Sequence, residues 1–381
     1  MESRKIKDVE KVLRDRAAES VLLVCGNSFR QQGLYGKIKE AAEKAGARMT
    51  EFSDFEPNPK YESVVKGVRI FLEQRCDFII AAGGGSAMDV AKCIKLFWNM
   101  DQHQSFLGQE IMENDTPLLA IPTTAGTGSE ATRFAVIYDQ GNKQSVGHRS
   151  CIPEYVILEP ALLKTLPEYQ RKATMLDALC HALESYWSVN STKESRVYAA
   201  KAVQEVFRHH KAYLENKPEG NEGMLLAAYT AGQAINLTQT TAGHAMCYKL
   251  TTLYGLAHGH AAALCVETLW PYMTEHMEDC HDPRGEEYLQ EMFQELAQVM
   301  GCMTTAEAVE KYREFLKGLA LPSPVLKEEK ELELLKRSVN PERLKNNPVR
   351  LTEETLEGLY RLILKMNAES GRGAFLFPGV K

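Results

Sequence analysis

The sequence predicts two successive parts, an α/β domain with a mainly parallel sheet over residues 1–163 and an all-α domain over residues 164–381. Three observations lead to this prediction. Short apolar runs alternate with helical stretches in the first part, as in parallel sheets with helices on both faces. Strand signals nearly vanish after Pro160, and helical periodicity continues from there. A length of 381 residues also suits about two domains.

The first part contains candidate strands that are short, apolar and rich in β-branched residues. They are VLLVC (21–25), 49–52, FIIAA (78–82), LLAIP (118–122), FAVIY (134–138) and YVIL (155–158). Helical periodicity falls between them, at Gly33–Ala45, 61–74 and 87–97. We therefore expect strands and helices to alternate along this part of the chain.

The second part shows the spacing of amphipathic helices, with apolar residues three and four positions apart. The predicted helices are 174–187, 194–213, 223–235, 288–300, 306–319 and 353–367. No run with the character of a strand interrupts them, so this part is expected to be helical throughout.

Composition and charge exclude several classes of protein. Apolar residues make up 44% and charged residues 25%, close to the globular average, which excludes disorder or a coiled coil as the overall state. A net charge of −6 lacks the basic footprint of a nucleic-acid-binding protein. No apolar run reaches the roughly 18 residues of a membrane span. The first residues are charged, and the nine cysteines form no CxxC pair, so we expect a cytoplasmic protein with reduced thiols.

Two polar loops each follow a predicted strand. GGGSAMDVAK (83–92) follows FIIAA and opens a helix, and PTTAGTGSEAT (122–132) follows LLAIP. Glycines let a phosphate approach the backbone, and a helix start offers free N–H groups. Ligands of open α/β sheets bind at the carboxyl ends of the strands. Together the loops predict a nucleotide site, although each alone could be a simple strand-to-helix or Ser/Thr turn.

Four side chains of the second part form a candidate metal site. Asp177 and His181 are four residues apart on one predicted helix and therefore share a face. His244 and His258 follow in TAGHAMCYKLTTLYGLAHGH, with His260 as a spare ligand. Three imidazoles and one carboxylate suit zinc, iron or copper. The alternative for the first pair is a simple hydrogen bond between carboxylate and imidazole.

The order and spacing of four segments resemble the iron-activated (group III) alcohol dehydrogenase family over essentially the whole chain. The segments are GGGSAMDVAK, PTTAGTGSEAT, DALCHALESY and GHAMCYKLTTLYGLAHGHA. The resemblance implies the fold of that family, which dehydroquinate synthase-like proteins share. In that fold a nucleotide-binding α/β domain and a helical metal-binding domain enclose the active site in a cleft. A small aldehyde or alcohol substrate and a homo-oligomer, expected to be a dimer, are also implied.

The resemblance carries over a set of site residues by motif. Asp177, His181, His244 and His258 would bind one divalent metal ion, Fe²⁺ or Zn²⁺. NAD(H) or NADP(H) would contact Gly26, Asn27, Ser28, Gly84, Gly85, Ser86, Asp89, Thr123, Thr124, Thr127, Thr132 and Lys143. The expected catalytic and substrate-binding residues are Tyr248 and Arg343.

The sequence departs from the family pattern at three of these positions. Tyr248 stands where many members have a second histidine, so a histidine proton relay is not expected and Tyr248 becomes a candidate proton donor. Gly26 replaces an aspartate that rejects the 2′-phosphate of NADP(H), and Ser28 or Arg30 could instead help to bind that phosphate. Arg343, in NPERLKNNPVRL, replaces a small residue that lines the pocket.

HAMCYKL together with NPERLKNNPV resembles the branch of the family that reduces phosphonoacetaldehyde or sulfoacetaldehyde. We expect sulfoacetaldehyde to be reduced to isethionate, because the planar fork of Arg343 suits an acidic head group and one clear cation suits a single charge. Reduction of phosphonoacetaldehyde to 2-hydroxyethylphosphonate and general short-chain alcohol dehydrogenation are alternatives. So is a surface role for Arg343, paired with Glu342. The other classes considered are a dehydroquinate synthase-like lyase and a non-catalytic binding protein.

The substitution Gly26→Asp tests where the adenosine ribose lies. An aspartate at this position would repel a 2′-phosphate, so the variant should shift selectivity toward NADH. The measurement is kcat/KM with NADH and with NADPH for the variant and the unsubstituted chain. An unchanged ratio of the two values would place Gly26 away from the ribose.

Overall fold

The computed structural model describes residues 6–364. The strands are β1 (Ser20–Cys25), β2 (Arg48–Phe52), β3 (Phe78–Gly83), β4 (Leu118–Pro122), β5 (Phe134–Asp139), β6 (Asn142–Gly147) and β7 (Tyr155–Val156). The helices before residue 100 are α1 (Val9–Asp15), α2 (Asn27–Arg30), α3 (Gly33–Ala45), α4 (Tyr61–Glu73) and α5 (Gly85–Phe97). The later helices are α6 (Glu168–Trp187), α7 (Lys193–Leu214), α8 (Pro218–Thr238), α9 (Ala242–Tyr254), α10 (His258–Glu275), α11 (Glu286–Val299), α12 (Thr305–Gly318), α13 (Lys330–Arg337), α14 (Pro341–Leu344) and α15 (Glu353–Ile363).

The described residues form two compact units. The first contains the chain up to Pro167 together with residues 208–236, and the second contains residues 168–207 and the chain from Leu237 onward. An α/β first unit and a helical second unit confirm the predicted fold class. The predicted domain boundary between residues 163 and 164 remains a prediction, and the structure differs from it in grouping 208–236 with the first unit.

Five parallel strands form the sheet of the first unit, in the order β2-β1-β3-β4-β7. Strands β1, β3 and β4 are buried along their whole length, as expected when both faces of a parallel sheet are covered. Successive side chains of β1 point to opposite faces. Leu22 and Val24 join one apolar cluster, and Val21, Leu23 and Cys25 join the other. The core of this unit therefore lies on both faces of the sheet.

The strand predicted at 134–138 forms outside this sheet. It is part of β5, which pairs with β6 in an antiparallel hairpin. The two connecting residues, Gln140 and Gly141, have φ of 49° and 80°, as a tight two-residue hairpin turn requires. The polar sequence NKQSVG of β6 gives no strand signal, so this strand was not predicted.

The loops that follow β1, β3 and β4 start side by side at one edge of the sheet. The register pairs Cys25 with Ala82 and Gly83 with Pro122. The turn at Gly26 and the two polar loops therefore share the carboxyl edge of the strands. Ligands of open α/β sheets bind at this edge.

Helix α8 lies against the second polar loop, which explains why residues 208–236 belong to the first unit. A Cβ atom on Gly232 would overlap the carbonyl oxygen of Gly128 and lie 2.8 Å from its Cα. Gly128 itself has a φ of +59°, in the left-handed region. The backbone N–H of Arg133 donates to Asn236 Oδ1 at 2.8 Å. The two glycines allow the helix and the loop to approach at backbone distance.

The helices predicted after residue 160 are present, and most begin or end a few residues from the predicted positions. The prediction at 353–367 is confirmed up to Ile363, and residues 365–367 lie outside the described residues. Helices α9 and α10 were not predicted. Apolar and small residues occur on most sides of each helix, so the sequence shows no polar stripe opposite an apolar one. None of the described helices is long and apolar enough to cross a membrane.

The substitution Gly232→Ala should destabilise the first unit by about 1–3 kcal/mol, because the added methyl group meets backbone that cannot move aside. Urea denaturation measures the change in the free energy of unfolding. Gly36→Ala is the matched control, since Gly36 lies in α3 and a Cβ there meets nothing within 4 Å. The control should be stabilised by about 0.5–1 kcal/mol through helix propensity. Equal effects of the two substitutions would contradict the proposed close contact.

Candidate functional site

The two polar loops of the first unit contact each other. Helix α5 begins at Gly85, with Gly84 at the N-cap position. A Cβ on Gly84 would lie 3.4 Å from Thr124 Cγ2, and one on Gly85 would lie 3.1 Å from Thr127 Cγ2. Ser86 is the second residue of the helix. The loops form one surface with a helix N-terminus in it, the arrangement that binds phosphate.

Lys92, which sequence reasoning did not assign, ties the second loop to helix α5. Its side chain is fully buried. Its ammonium donates to the carbonyl oxygens of Ser129, Thr132 and Phe134 at 2.5, 2.8 and 2.8 Å. The hydroxyls of Ser129 and Thr132 each lie 3.0 Å away. Thr132 therefore uses its hydroxyl inside the protein, and its expected cofactor contact remains a prediction.

Two carboxyl groups lie near this ammonium. Asp89 Oδ1 accepts a hydrogen bond from Ser129 Oγ at 3.3 Å. Burial raises the pKa of Asp89 to about 6, although Lys92 and Lys143 both act to lower it. Burial likewise raises the pKa of Glu130 to about 7. The cofactor contacts expected of Asp89 and Lys143 remain predictions.

The turn after β1 leaves room for a ligand. Gly26 is the N-cap of α2, with an extended backbone, and a Cβ built on it meets nothing within 4 Å. Asn27 and Ser28 follow and are exposed. The guanidinium of Arg30, expected to be available for a phosphate, instead pairs with the carboxylate of Glu51.

The second unit brings the predicted metal-binding residues together. Asp177 and His181 lie on α6, His244 on α9, and His258 at the start of α10. Asp177, His244 and His258 each offer one ligand atom, and these three atoms lie within 4.8 Å of one another. The Nε2 atoms of His244 and His258 are 3.5 and 3.9 Å from Asp177 Oδ1. His181 is outside this group, but its ring stacks on that of His244 with centroids 4.4 Å apart.

These residues fit a metal ion. Asp177 Oδ1 and His244 Nε2 are buried and have no hydrogen-bond partner among the described residues. Burial acts to raise the pKa of Asp177, but the imidazoles of His181, His244 and His258 hold it well below its usual range. A charged carboxylate with imidazole nitrogens directed at it is the donor set that a divalent metal ion binds.

Glu184 is a functional candidate that sequence reasoning missed. It is fully buried on α6, and its carboxylate accepts from His244 Nδ1, from the His244 backbone N–H at 3.0 Å and from Thr241 Oγ1 at 2.9 Å. Burial acts to lower the pKa of His244, but the carboxylates of Glu184 and Asp177 raise it to about 9. Glu184 thus orients His244 so that Nε2 faces Asp177. Its position three residues after His181, on the same helix face, was the available signal.

Close backbone approaches position the two ligands that come from α9 and α10. A Cβ on Gly243 would lie 2.5 Å from Glu184 Oε1, and one on Gly259 would lie 2.5 Å from the Cβ of Asp177. Each glycine is the sequence neighbour of a histidine of the site. On the outer side of His258, Nδ1 lies 3.5 Å from Cys247 Sγ.

The two predicted catalytic residues lie in different surroundings. Tyr248 is half-buried, and its ring stacks on His258 with centroids 5.6 Å apart. Arg343, on α14, donates from Nη1 to Gln239 Oε1 at 2.5 Å. Glu342, expected as its alternative partner, pairs with Lys345 instead.

His260, the spare ligand, does not join the metal group. It is buried, and its Nδ1 lies 3.1 Å from the hydroxyl of Tyr169. That hydroxyl also accepts from the backbone N–H of Ala257 at 2.9 Å. Burial lowers the pKa of His260 to about 4, and the ring is therefore neutral at physiological pH.

Comparison with known proteins gives a consistent result over both parts of the chain. A family model described as "Iron-containing alcohol dehydrogenase" matches residues 1–160. A second, described as "Fe-containing alcohol dehydrogenase family, C-terminal", matches residues 172–364. An alcohol dehydrogenase of Thermococcus barophilus is 28% identical over 90% of this chain and 91% of its own.

Two similar proteins are named for aldehydes with an acidic head group. A phosphonoacetaldehyde reductase of Streptomyces viridochromogenes is 32% identical over 77% of this chain and 78% of its own. The crystal structure of a sulfoacetaldehyde reductase from Bifidobacterium kashiwanohense, in complex with NAD⁺, superposes with a TM-score of 0.83. It is 25% identical to this chain and covers 96% of each chain.

Removal of a predicted metal ligand should abolish metal binding. His244→Ala or Asp177→Ala is expected to lose bound metal and nearly all turnover while the circular dichroism spectrum is retained, because each removes a donor that nothing else replaces. Glu184→Gln should keep the site but weaken metal affinity about 10–100-fold, since His244 loses its orienting carboxylate. Chelator competition measures the affinity. The exposed Glu291→Gln is the control, and full metal occupancy in His244→Ala would refute the site.

Proposed function

Because the chain belongs to the iron-containing alcohol dehydrogenase family and is an oxidoreductase acting on CH–OH donors, we propose that it reduces a short aldehyde bearing an acidic head group. The proposed cofactor is NADH or NADPH, and the proposed metal is Fe²⁺ or Zn²⁺. The proposal also includes a cytoplasmic location, supported by nine cysteines without a disulfide, and a homodimer.

The first unit supplies the proposed cofactor site and the second the proposed metal site. Asp177, His181, His244 and His258 would hold the metal. The polar loops, with Gly84 and its neighbours, would hold the cofactor diphosphate. When bound, the metal supplies Lewis acidity at the aldehyde oxygen and the nicotinamide supplies the hydride. Loss of NADH turnover with aldehydes, with retained nucleotide binding, would favour the lyase alternative.

The observation that carries the substrate proposal is the state of Arg343. Its guanidinium is half-buried and bonded to a neutral amide, that of Gln239. It forms no ion pair with any described residue. Gln239 lies three residues before the start of α9, the helix that carries His244 and Tyr248. A charged guanidinium held there without an anion is available for an acidic head group, which it would bind through charge-assisted hydrogen bonds.

Tyr248 is the proposed proton donor to the product alkoxide. Its hydroxyl is at the end of a ring that packs flat on His258, so it is held beside a proposed metal ligand. A phenol can donate a proton and take one back from solvent, as a general acid requires. This role replaces the second histidine that many family members have at this position.

We prefer a sulfonate because the proposal assigns a single guanidinium, that of Arg343, to the head group. His260 is buried and hydrogen-bonded to Tyr169, so the proposal does not assign it to the head group. A doubly charged phosphonate would be bound less well by a single guanidinium. The second candidate substrate is phosphonoacetaldehyde, which the similarity to the Streptomyces reductase favours.

The variant Arg343→Ala should lose most of its kcat/KM for sulfoacetaldehyde and phosphonoacetaldehyde, and little for propanal. A charge-assisted contact to an anion is worth about 1.5–3 kcal/mol, or roughly 10–100-fold in kcat/KM. The matched control is Arg337→Ala, an exposed arginine of α13 that pairs with Glu333. Equal losses for the charged and neutral aldehydes would remove Arg343 as the anchor of the head group.

A further inference from the structure

A carboxylate of this chain occupies the sheet edge beside the turn after β1. Strands β1 and β2 are parallel neighbours, and their register pairs Leu23 with Glu51 and Val24 with Phe52. The carboxyl ends of the two strands therefore lie together. Glu51 is the last residue but one of β2, and its side chain reaches across to β1, where Oε1 lies 3.8 Å from Cys25 Sγ.

Two side chains that follow β1 hold the carboxylate of Glu51. Arg30 donates from Nε to Oε1, and the hydroxyl of Tyr35 donates to Oε2 at 2.7 Å. The Glu51 side chain is 21% exposed, so the group is fixed in direction and still open to solvent. An anchored carboxylate of this kind can accept a further hydrogen bond from a ligand hydroxyl.

The guanidinium of Arg30 is used on all its sides by this chain. Besides the pairing with Glu51, Nη2 donates to Ser53 Oγ at 2.7 Å and Nη1 donates to Asn27 Oδ1 at 3.3 Å. Its charge is balanced by Glu51. A phosphate that approaches this edge meets a carboxylate and a cation that is already neutralised.

Glu51 and Arg30 are the residue types that contact the 2′ position of an adenosine ribose in related folds. In doubly wound α/β domains an acidic side chain about 20 residues after the first turn accepts a hydrogen bond from the 2′-hydroxyl of NAD, and a nearby arginine accommodates the 2′-phosphate of NADP. Both residue types are present in this chain, and they neutralise each other. The space above Gly26 is open, so a ribose could reach them.

We propose that Glu51 determines the choice of cofactor by accepting from the 2′-hydroxyl of NAD(H), repelling the 2′-phosphate of NADP(H) and masking Arg30. The inference rests on the proposed function, since it requires a dinucleotide at this edge of the sheet. Gly26 has no side chain that could distinguish NAD(H) from NADP(H). The inference assigns this selectivity to Glu51 on the neighbouring strand β2.

The test is Glu51→Gln, which keeps the size of the side chain and removes its charge. We expect the ratio of kcat/KM for NADPH to that for NADH to rise at least about tenfold, because one like-charge contact costs more than 1.4 kcal/mol. Binding of 2′,5′-ADP relative to 5′-AMP, measured by calorimetry without aldehyde, should rise in parallel. The double variant Glu51→Gln with Arg30→Met should keep only the part of this gain that comes from removing the repulsion by Glu51, because it lacks the released guanidinium.

Glu56→Gln is the matched control, because Glu56 is exposed just beyond β2 and its loss changes the net charge equally. Unchanged ratios in Glu51→Gln, or the same gain in Glu56→Gln, would overturn the inference. If Glu51→Gln does not fold, Arg30→Met alone decides: the unmasked carboxylate should strengthen the preference for 5′-AMP, and a shift toward 2′,5′-ADP overturns the inference. Failure of the unsubstituted protein to bind either nucleotide would overturn the proposed cofactor together with this inference, whereas binding with an insensitive ratio leaves the cofactor in place.

Discussion

The helical unit is organised around buried polar atoms that the protein itself leaves unsatisfied. Asp177 Oδ1 and His244 Nε2 are buried without a hydrogen-bond partner among the described residues. Each such atom costs about 1–3 kcal/mol. The other ring nitrogen of His244 is satisfied, because Nδ1 bonds to the carboxylate of Glu184. His244 is therefore hydrogen-bonded on its outer side and not on the side that faces Asp177, which is the pattern of a binding site rather than of a packing defect.

The backbone beside the predicted metal ligands is also shaped by the site, through glycines next to His244 and His258. Gly243 precedes His244, and its Cα faces the carboxylate that orients that histidine. Gly259 follows His258 and brings α10 against α6 at the level of Asp177. A side chain at either glycine would push its helix outward and separate the donors from one another. The glycines in GHAMC and AHGHA therefore belong to the site as much as the histidines do.

The first unit uses a buried ammonium in a comparable way. Lys92 has three protons and five oxygen neighbours, all of which come from residues 129–134. Carbonyl oxygens of a loop that forms no regular ladder need donors, and in this loop one side chain provides them. Burial lowers the pKa of Lys92, while the nearby Asp89 and Glu130 favour its charged form. The shape of the second polar loop depends on this contact.

The fold was largely predictable because its strongest features are local. The buried strands are continuous apolar runs, and the amphipathic helices carry their period in the sequence. The failures have physical causes. The strand β6 forms because of its turn and its pairing with β5. Polar residues can pair in this way, so β6 has no apolar signal in the sequence. The buried helix α10 contains Pro271 and little polar surface, so it shows neither a stripe nor an uninterrupted run.

The candidate site was predictable as residue types and much less so as contacts. Asp177 and His181 were identifiable by their helical spacing in an apolar setting, and His244 and His258 by their place in the segment TAGHAMCYKLTTLYGLAHGH. Glu51 and Lys92 were not, because a glutamate in a strand and a lysine in a helix usually face water. The roles of these two residues depend on partners that are distant in sequence. Arg30 and Tyr35 hold Glu51, and the loop after β4 holds Lys92. A charged residue becomes informative when the fold gives it a fixed direction. The parallel strands fix the direction of Glu51 and of Lys92, because they bring the segments that hold these side chains to one edge of the sheet.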